Sequence, residues 1–182
     1  MSKTVTTRYT VDTGLRLKRP VHIAHVSDLH ERNCDDIFSL MEQEKPDLII
    51  GSSQGGYYAQ MLRGYKRICV NPALDMSNDE DVKVGSHQFV VNREDGIQRY
   101  VITPEMQEGY RRLEARQFEG ITDFDREYCY GLFGDHDTDY GHCKPLFVAH
   151  YKHIHSFPGG HKMEYDEIEK YLMPLVQELI NR

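Results

Sequence analysis

Apolar positions along the chain fall into short continuous runs separated by stretches with helical spacing. Residues 4–10 and 20–26 read as two β segments around the turn-like Asp12-Thr13-Gly14. Ile37, Leu40 and Met41 recur at helical spacing within 35–44, and Pro46 ends that helix. Leu48-Ile49-Ile50 then runs without alternation, the pattern of a strand buried on both faces of a parallel sheet. A short helix over 56–62 and another buried strand over 67–70 follow, the latter closed by Asn71-Pro72.

Residues 75–120 break this rhythm. The stretch is polar and predicts a hairpin (82–91 and 98–102, turning at 92–96), then a helix with Thr103 as N-cap and Pro104 first. Beyond it, Thr122 and Asp125 have the spacing of a capping box on a short helix. A strand over 128–133, a helix over 143–151 and a strand over 153–157 come next. The last helix starts near Tyr165 with Ile168, Leu172, Leu175, Val176 and Leu179 on one face, and Pro174 is expected to kink it. Strands alternating with helices on short connections predict an α/β fold, three-layered α/β/α with a mostly parallel sheet. The expected organisation is one domain over 1–182, with 75–120 as a small cap-like insertion. Such sheets bind ligands at the carboxyl ends of their strands.

The composition fits that picture. The chain has 182 residues, 28% of them charged and 39% apolar, enough to bury a core without metal or disulfide support. No apolar run approaches the roughly 20 residues that span a bilayer, and the first ten residues lack the apolar centre of a secretory signal. The net charge of −7, with both signs interspersed, disfavours a nucleic-acid backbone or an anionic membrane as partner. The expectation is therefore a cytoplasmic protein acting on a small molecule, with assembly into a homo-oligomer left open. Cys34, Cys69, Cys129 and Cys143 form no C-x-x-C pair and read as reduced thiols filling core space. The ten histidines cluster at 22–30 and at 136–161.

Candidate chemistry begins directly after the strand at 48–50, where Gly51-Ser52-Ser53-Gln54-Gly55-Gly56 leads into a helix. This is G-x-S-x-G in a strand–turn–helix context, the nucleophile elbow. The turn is so tight that the positions two before and two after the serine must be nearly free of side chain, as Gly51 and Gly55 are. It lifts the Ser53 hydroxyl above the sheet and aims the Gln54 N–H where an oxyanion would develop. No lysine follows the glycines, so the loop is not a Walker A loop. A serine needs a base and an orienting acid, in the order Ser, Asp/Glu, His for this architecture. Asp135, Asp137 and Asp139 follow the strand at 128–133, and His161 follows the strand at 153–157. His161 is the expected base and Asp137 the expected acid, with Asp135 and Asp139 as alternates.

From Pro46 onward the chain resembles the small bacterial α/β-hydrolase esterases of the YqiA type. The resemblance is carried by Gly51-Ser52-Ser53-Gln54-Gly55-Gly56-Tyr57-Tyr58-Ala59, Cys69-Val70-Asn71-Pro72-Ala73, Leu132-Phe133-Gly134-Asp135-His136-Asp137 and Gly159-Gly160-His161. It implies cofactor-free ester hydrolysis of a small acyl ester or thioester through an acyl-enzyme, with Ser53, Asp137 and His161 as triad. The front departs from that family: no His-Gly pair, source of the second oxyanion donor, precedes Ser53. Instead Val21-His22-Ile23-Ala24-His25-Val26-Ser27-Asp28-Leu29-His30 resembles the opening strand of calcineurin-like metallophosphoesterases. That likeness implies an alternative, a phosphatase holding divalent metal ions through Asp28 and His30. The remaining ligand motifs of such a site are missing: Gly51-Ser52 stands where Gly-Asp is expected. A further alternative is a binding protein that keeps the hydrolase sheet with an impaired site. If the strand at 20–26 replaces the His-Gly strand, a backbone N–H in 27–31 is the expected second oxyanion donor.

Overall fold

In the computed structural model, which describes residues 21–26, 34–89, 96 and 98–182, five apolar runs form one all-parallel sheet. Its strands are β1 (Ile23–Val26), β2 (Leu48–Ser52), β3 (Arg67–Val70), β6 (Cys129–Gly134) and β7 (His153–Phe157), neighbouring one another in chain order. Between β3 and β6, β4 (Gly85–Gln88) and β5 (Arg99–Ile102) form a separate antiparallel ribbon. The two-residue period of a strand divides the side chains cleanly. Ile49, Cys69, Cys129 and Phe133 face one layer, with helix α1 (Cys34–Glu44), helix α2 (Gln54–Met61) and helix α5 (Lys144–Val148). Leu48, Ile68, Val70, Tyr130, Leu132 and Phe157 face the other, where helix α7 (Met173–Asn181) inserts Leu175, Val176 and Leu179. The layering is α/β/α, as the alternation predicts.

Several boundaries differ from the sequence reading, each for a local reason. Helix α2 starts at Gln54 rather than 56, because the elbow itself supplies its first turn. The strand expected from 82 is shorter: Glu80–Val82 is a 3-10 turn with Asp79 accepting from the Asp81 amide, and the β4/β5 ladder begins at Gly85. Its expected turn, 92–96, lies almost wholly outside the described residues. Tyr128 ends helix α4 (Asp123–Tyr128), so the following strand begins at Cys129. The helix expected over 143–151 is a 3-10 turn at Gly141–Cys143 followed by the short α5. Pro174 produces no simple kink: the helix runs as α6 (Tyr165–Glu167), a π-helical stretch at Ile168–Leu172 and then α7. Proline offers no N–H to the preceding turn, and the wider π turn accommodates that gap. Residues 4–14 and 27–31, including Asp28 and His30, lie outside the described residues.

The insertion is tied to the sheet's carboxyl edge. Helix α3 (Pro104–Arg116) starts as expected, with Thr103 accepting from the Met106 amide at 3.2 Å. Just past its end the Gln117 amide group donates to the Leu74 carbonyl at 2.9 Å, and Glu114 accepts from Ser77. Tyr110, within the helix, accepts from the Gln54 side chain at 3.3 Å. The insertion therefore sits against the residue that follows Ser53. Among the described residues no helix is long and apolar enough to cross a membrane.

Candidate active site

Ser53 adopts φ 54° and ψ −122°, a backbone conformation that L-residues avoid. Neighbours hold it there from three sides. Its amide donates to the Val70 carbonyl at 3.0 Å, and its carbonyl accepts from Tyr57 at 3.0 Å and Ala73 at 3.1 Å. A Cβ on Gly51 would stand 2.2 Å from the Gly55 carbonyl oxygen and 2.8 Å from the Ala59 methyl. Only hydrogen fits between strand and helix at that point. The elbow thus follows from the five residues that predict it, and it places the Gln54 N–H at the first turn of α2.

The strand ends bring the partners to the same edge. His161 Nε2 lies 2.9 Å from Ser53 Oγ, and His161 Nδ1 lies 3.1 Å from Asp137 Oδ2. The Asp137 side chain is fully buried, whereas His161 keeps 16% of its surface exposed. With the Nδ1 proton directed to Asp137, Nε2 is left as an acceptor for the Ser53 hydroxyl. Asp137 is itself fixed: its Oδ1 accepts from the Asp139 amide at 2.9 Å and the Tyr140 amide at 3.1 Å. That Asx turn explains why Asp137, rather than Asp135 or Asp139, faces the imidazole. Asp135 and Asp139 are both exposed, although a carboxylate oxygen of Asp139 remains within 4.8 Å of the Asp137 and His161 ligand atoms. The Tyr140 ring packs against the imidazole, centroids 5.3 Å apart.

Asn71 is the residue whose role the sequence did not disclose. It is fully buried, has φ 42°, and links three strand ends through one carboxamide. Its Oδ1 accepts from the Gly134 amide at 2.7 Å, while its Nδ2 donates to the carbonyls of Gly160 at 3.0 Å and His161 at 2.8 Å. Nearby, a Cβ on Gly134 would stand 2.4 Å from the Gly160 oxygen, so the loop bearing His161 presses directly on the end of β6. The signal was present as Val-Asn-Pro-Ala after a strand, since Asn tolerates positive φ better than most residues.

The segment expected to hold the second oxyanion donor, 27–31, lies outside the described residues. Strand β1 ends at Val26, which pairs with Gly51.

No family profile matches the chain, and no curated protein matches it either. Solved structures do. The esterase domain of a Rhodothermus marinus protein superposes with a TM-score of 0.60 at 13% identity, covering 90% of this chain and 89% of that one. The peroxisomal alpha-beta-hydrolase Lpx1 of Saccharomyces cerevisiae gives a TM-score of 0.45 at 11% identity, over 81% of this chain and 57% of that one. At such identities the likeness is one of fold. The chain has an α/β fold with a parallel central sheet, the architecture it shares with that esterase domain.

Proposed function

We propose that the protein is a serine hydrolase of the carboxylesterase or thioesterase kind, related to the YqiA-type esterases. The single observation that carries the proposal is the continuous chain from Ser53 Oγ through both His161 nitrogens to the buried Asp137 carboxylate. In the reaction, His161 takes the Ser53 proton as Oγ attacks the acyl carbon. The tetrahedral oxyanion forms beside the Gln54 N–H, and His161 returns the proton to the departing alcohol or thiol. Water then repeats the sequence on the acyl-enzyme, releasing the acid and freeing Ser53. Asp137 holds the tautomer and stabilises the imidazolium. Helix α3, anchored to Gln54 through Tyr110, forms one wall of the acyl pocket.

A fluorophosphonate probe tests the proposal. The expected result is one covalent adduct per chain, mapped by peptide mass spectrometry to Ser53 and absent from Ser53→Ala. A wild-type protein that stays unlabelled, or a Ser53→Ala variant that still labels, disproves it.

Asn71 gives a second test, of positioning. Asn71→Gly keeps the positive φ but releases the carbonyls of Gly160 and His161. A misplacement near 1 Å in such a site costs about 100-fold in rate. The expected outcome is a labelling rate lower by about that factor at a temperature where circular dichroism shows a native fold. An unchanged rate removes Asn71 from the positioning machinery.

A further inference from the structure

Beyond the serine site, a second group of chemically active side chains lies on the loops that follow β3 and β6. Asp75 comes from the first loop, and His142 and Cys143 from the second. His142 Nε2 is 2.7 Å from Asp75 Oδ2, and Cys143 Sγ is 3.2 Å from Asp75 Oδ1. The three ligand atoms all fall within 4.8 Å of one another. A tetrahedral zinc ion with bonds of about 2.0–2.3 Å needs its ligand atoms roughly 3.3–3.8 Å apart, so small side-chain adjustments suffice to admit one.

We infer that Asp75, His142 and Cys143 form a zinc site that pins the loop carrying Asp137 to the end of β3. The inference does not depend on the esterase reading, since none of the three residues belongs to the Ser53–His161–Asp137 chain. Hydrogen bonding alone explains a carboxylate between two donors. It does not explain why the two donors are an imidazole and a thiol, adjacent in sequence and converging on one side chain some 68 positions away. Oxygen, nitrogen and sulfur donors together form the borderline set that suits zinc and excludes magnesium and calcium.

The surroundings favour a cation. Asp79 approaches through its contact with the Tyr140 hydroxyl. The neighbouring cation, Lys144, is turned away to the Ser156 hydroxyl at 2.6 Å and over the Phe133 ring. Cys143 is buried while His142 is 59% exposed, so the thiolate would be shielded and one side of the ion left open to a water ligand. On binding, a Zn–S bond forms as the Cys143 S–H bond breaks, and its proton passes to the buffer. His142 lies five positions after Asp137, so the ion would restrain the segment whose Asx turn aims the acid.

Cobalt(II) is the probe, added to the reduced full chain and followed by absorption. The expected result is a stoichiometric thiolate-to-cobalt charge-transfer band with visible bands of tetrahedral strength. It disappears in Cys143→Ser, and affinity falls at least 100-fold in Asp75→Asn and in His142→Ala. Zinc should displace the cobalt and raise the thermal midpoint of the wild type but not of Cys143→Ser. His142 is mostly solvent-exposed, so His142→Ala remains decisive even if the cysteine variant folds poorly. A wild type without the band, a band that survives Cys143→Ser, or an affinity unaltered by His142→Ala overturns the inference. So does loss of cobalt in Asp139→Asn, which would move the ion to the other carboxylate–histidine group.

Discussion

Replacing His161 with alanine is expected to lower kcat for a small aryl ester by about 10⁶-fold, as much as Ser53→Ala, with the double variant no worse. Non-additivity follows from the geometry, because a single imidazole contacts both the Ser53 hydroxyl and the Asp137 carboxylate. Removing it leaves a neutral serine without a base, and removing the serine leaves a base without a nucleophile. Asp137→Asn should cost less, about 10⁴-fold, since the imidazole stays in place but loses its preferred tautomer. Asp139→Asn tests the choice of acid. Its carboxylate is exposed and only its backbone amide serves Asp137, so kcat should change less than threefold. Steady-state kinetics on the four single variants and the double, with unfolding midpoints as controls, gives the order. A result in which Asp139→Asn falls as far as Asp137→Asn would move the acid role to Asp139.

The largest effect on stability is expected at the opposite end of the sheet. Arg67 and Asp125 are both fully buried and joined at 2.7 Å, 58 positions apart in sequence. The guanidinium also donates to the Leu62 carbonyl, while Asp125 accepts from the Thr122 hydroxyl at 2.7 Å and the Gly64 amide at 3.0 Å. Removing one partner strands the other charge away from water, which costs about 3–5 kcal/mol. Arg67→Met and Asp125→Asn should each destabilise by that order in urea unfolding. The double variant should fall short of their sum by about 0.5–3 kcal/mol, because the second change removes a charge already stranded. Strict additivity would show that the pair does not act as one.

The same pair sets a direction with pH. Burial pushes the Asp125 carboxyl up, but the Thr122 hydroxyl, the Gly64 and Thr122 amides and Arg67 outweigh it and hold it below the ordinary range. The folded chain then binds protons less readily than the unfolded one. Its stabilisation is complete above about pH 4, the unfolded value, and is lost as pH falls through the lowered folded value. Arg67→Met removes one of those restraints, so the stability gap between the variant and the wild type should narrow as pH falls below about 4.

What the sequence disclosed follows the range of the forces involved. The elbow was legible because its steric rule lies within Gly51 to Gly55. The Thr122–Asp125 capping box was legible for the same reason, and it forms as its spacing predicts. That the same carboxylate neutralises Arg67 was not legible, because an arginine inside an apolar run does not announce which distant residue it meets. Asn71 was visible as part of a motif, but its three long-range hydrogen bonds exist only once β3, β6 and the His161 loop are adjacent. The choice of Asp137 among three aspartates needed the turn that points it inward. The π turn before Pro174 had no periodic signature, since the apolar face continues through it.

Strands that neighbour one another in chain order also fix a sequence of events during synthesis. The elbow needs only β2, β3 and the residues up to Ala73, so it can close while most of the chain is still being made. Leu48, Ile68 and Val70 face the layer into which the last helix packs Leu175, Val176 and Leu179. At about 5–20 residues per second, that apolar surface waits on the order of ten seconds for its lid. The strained serine therefore forms early, His161 joins it late, and the last helix decides how long a nascent chain remains prone to aggregation.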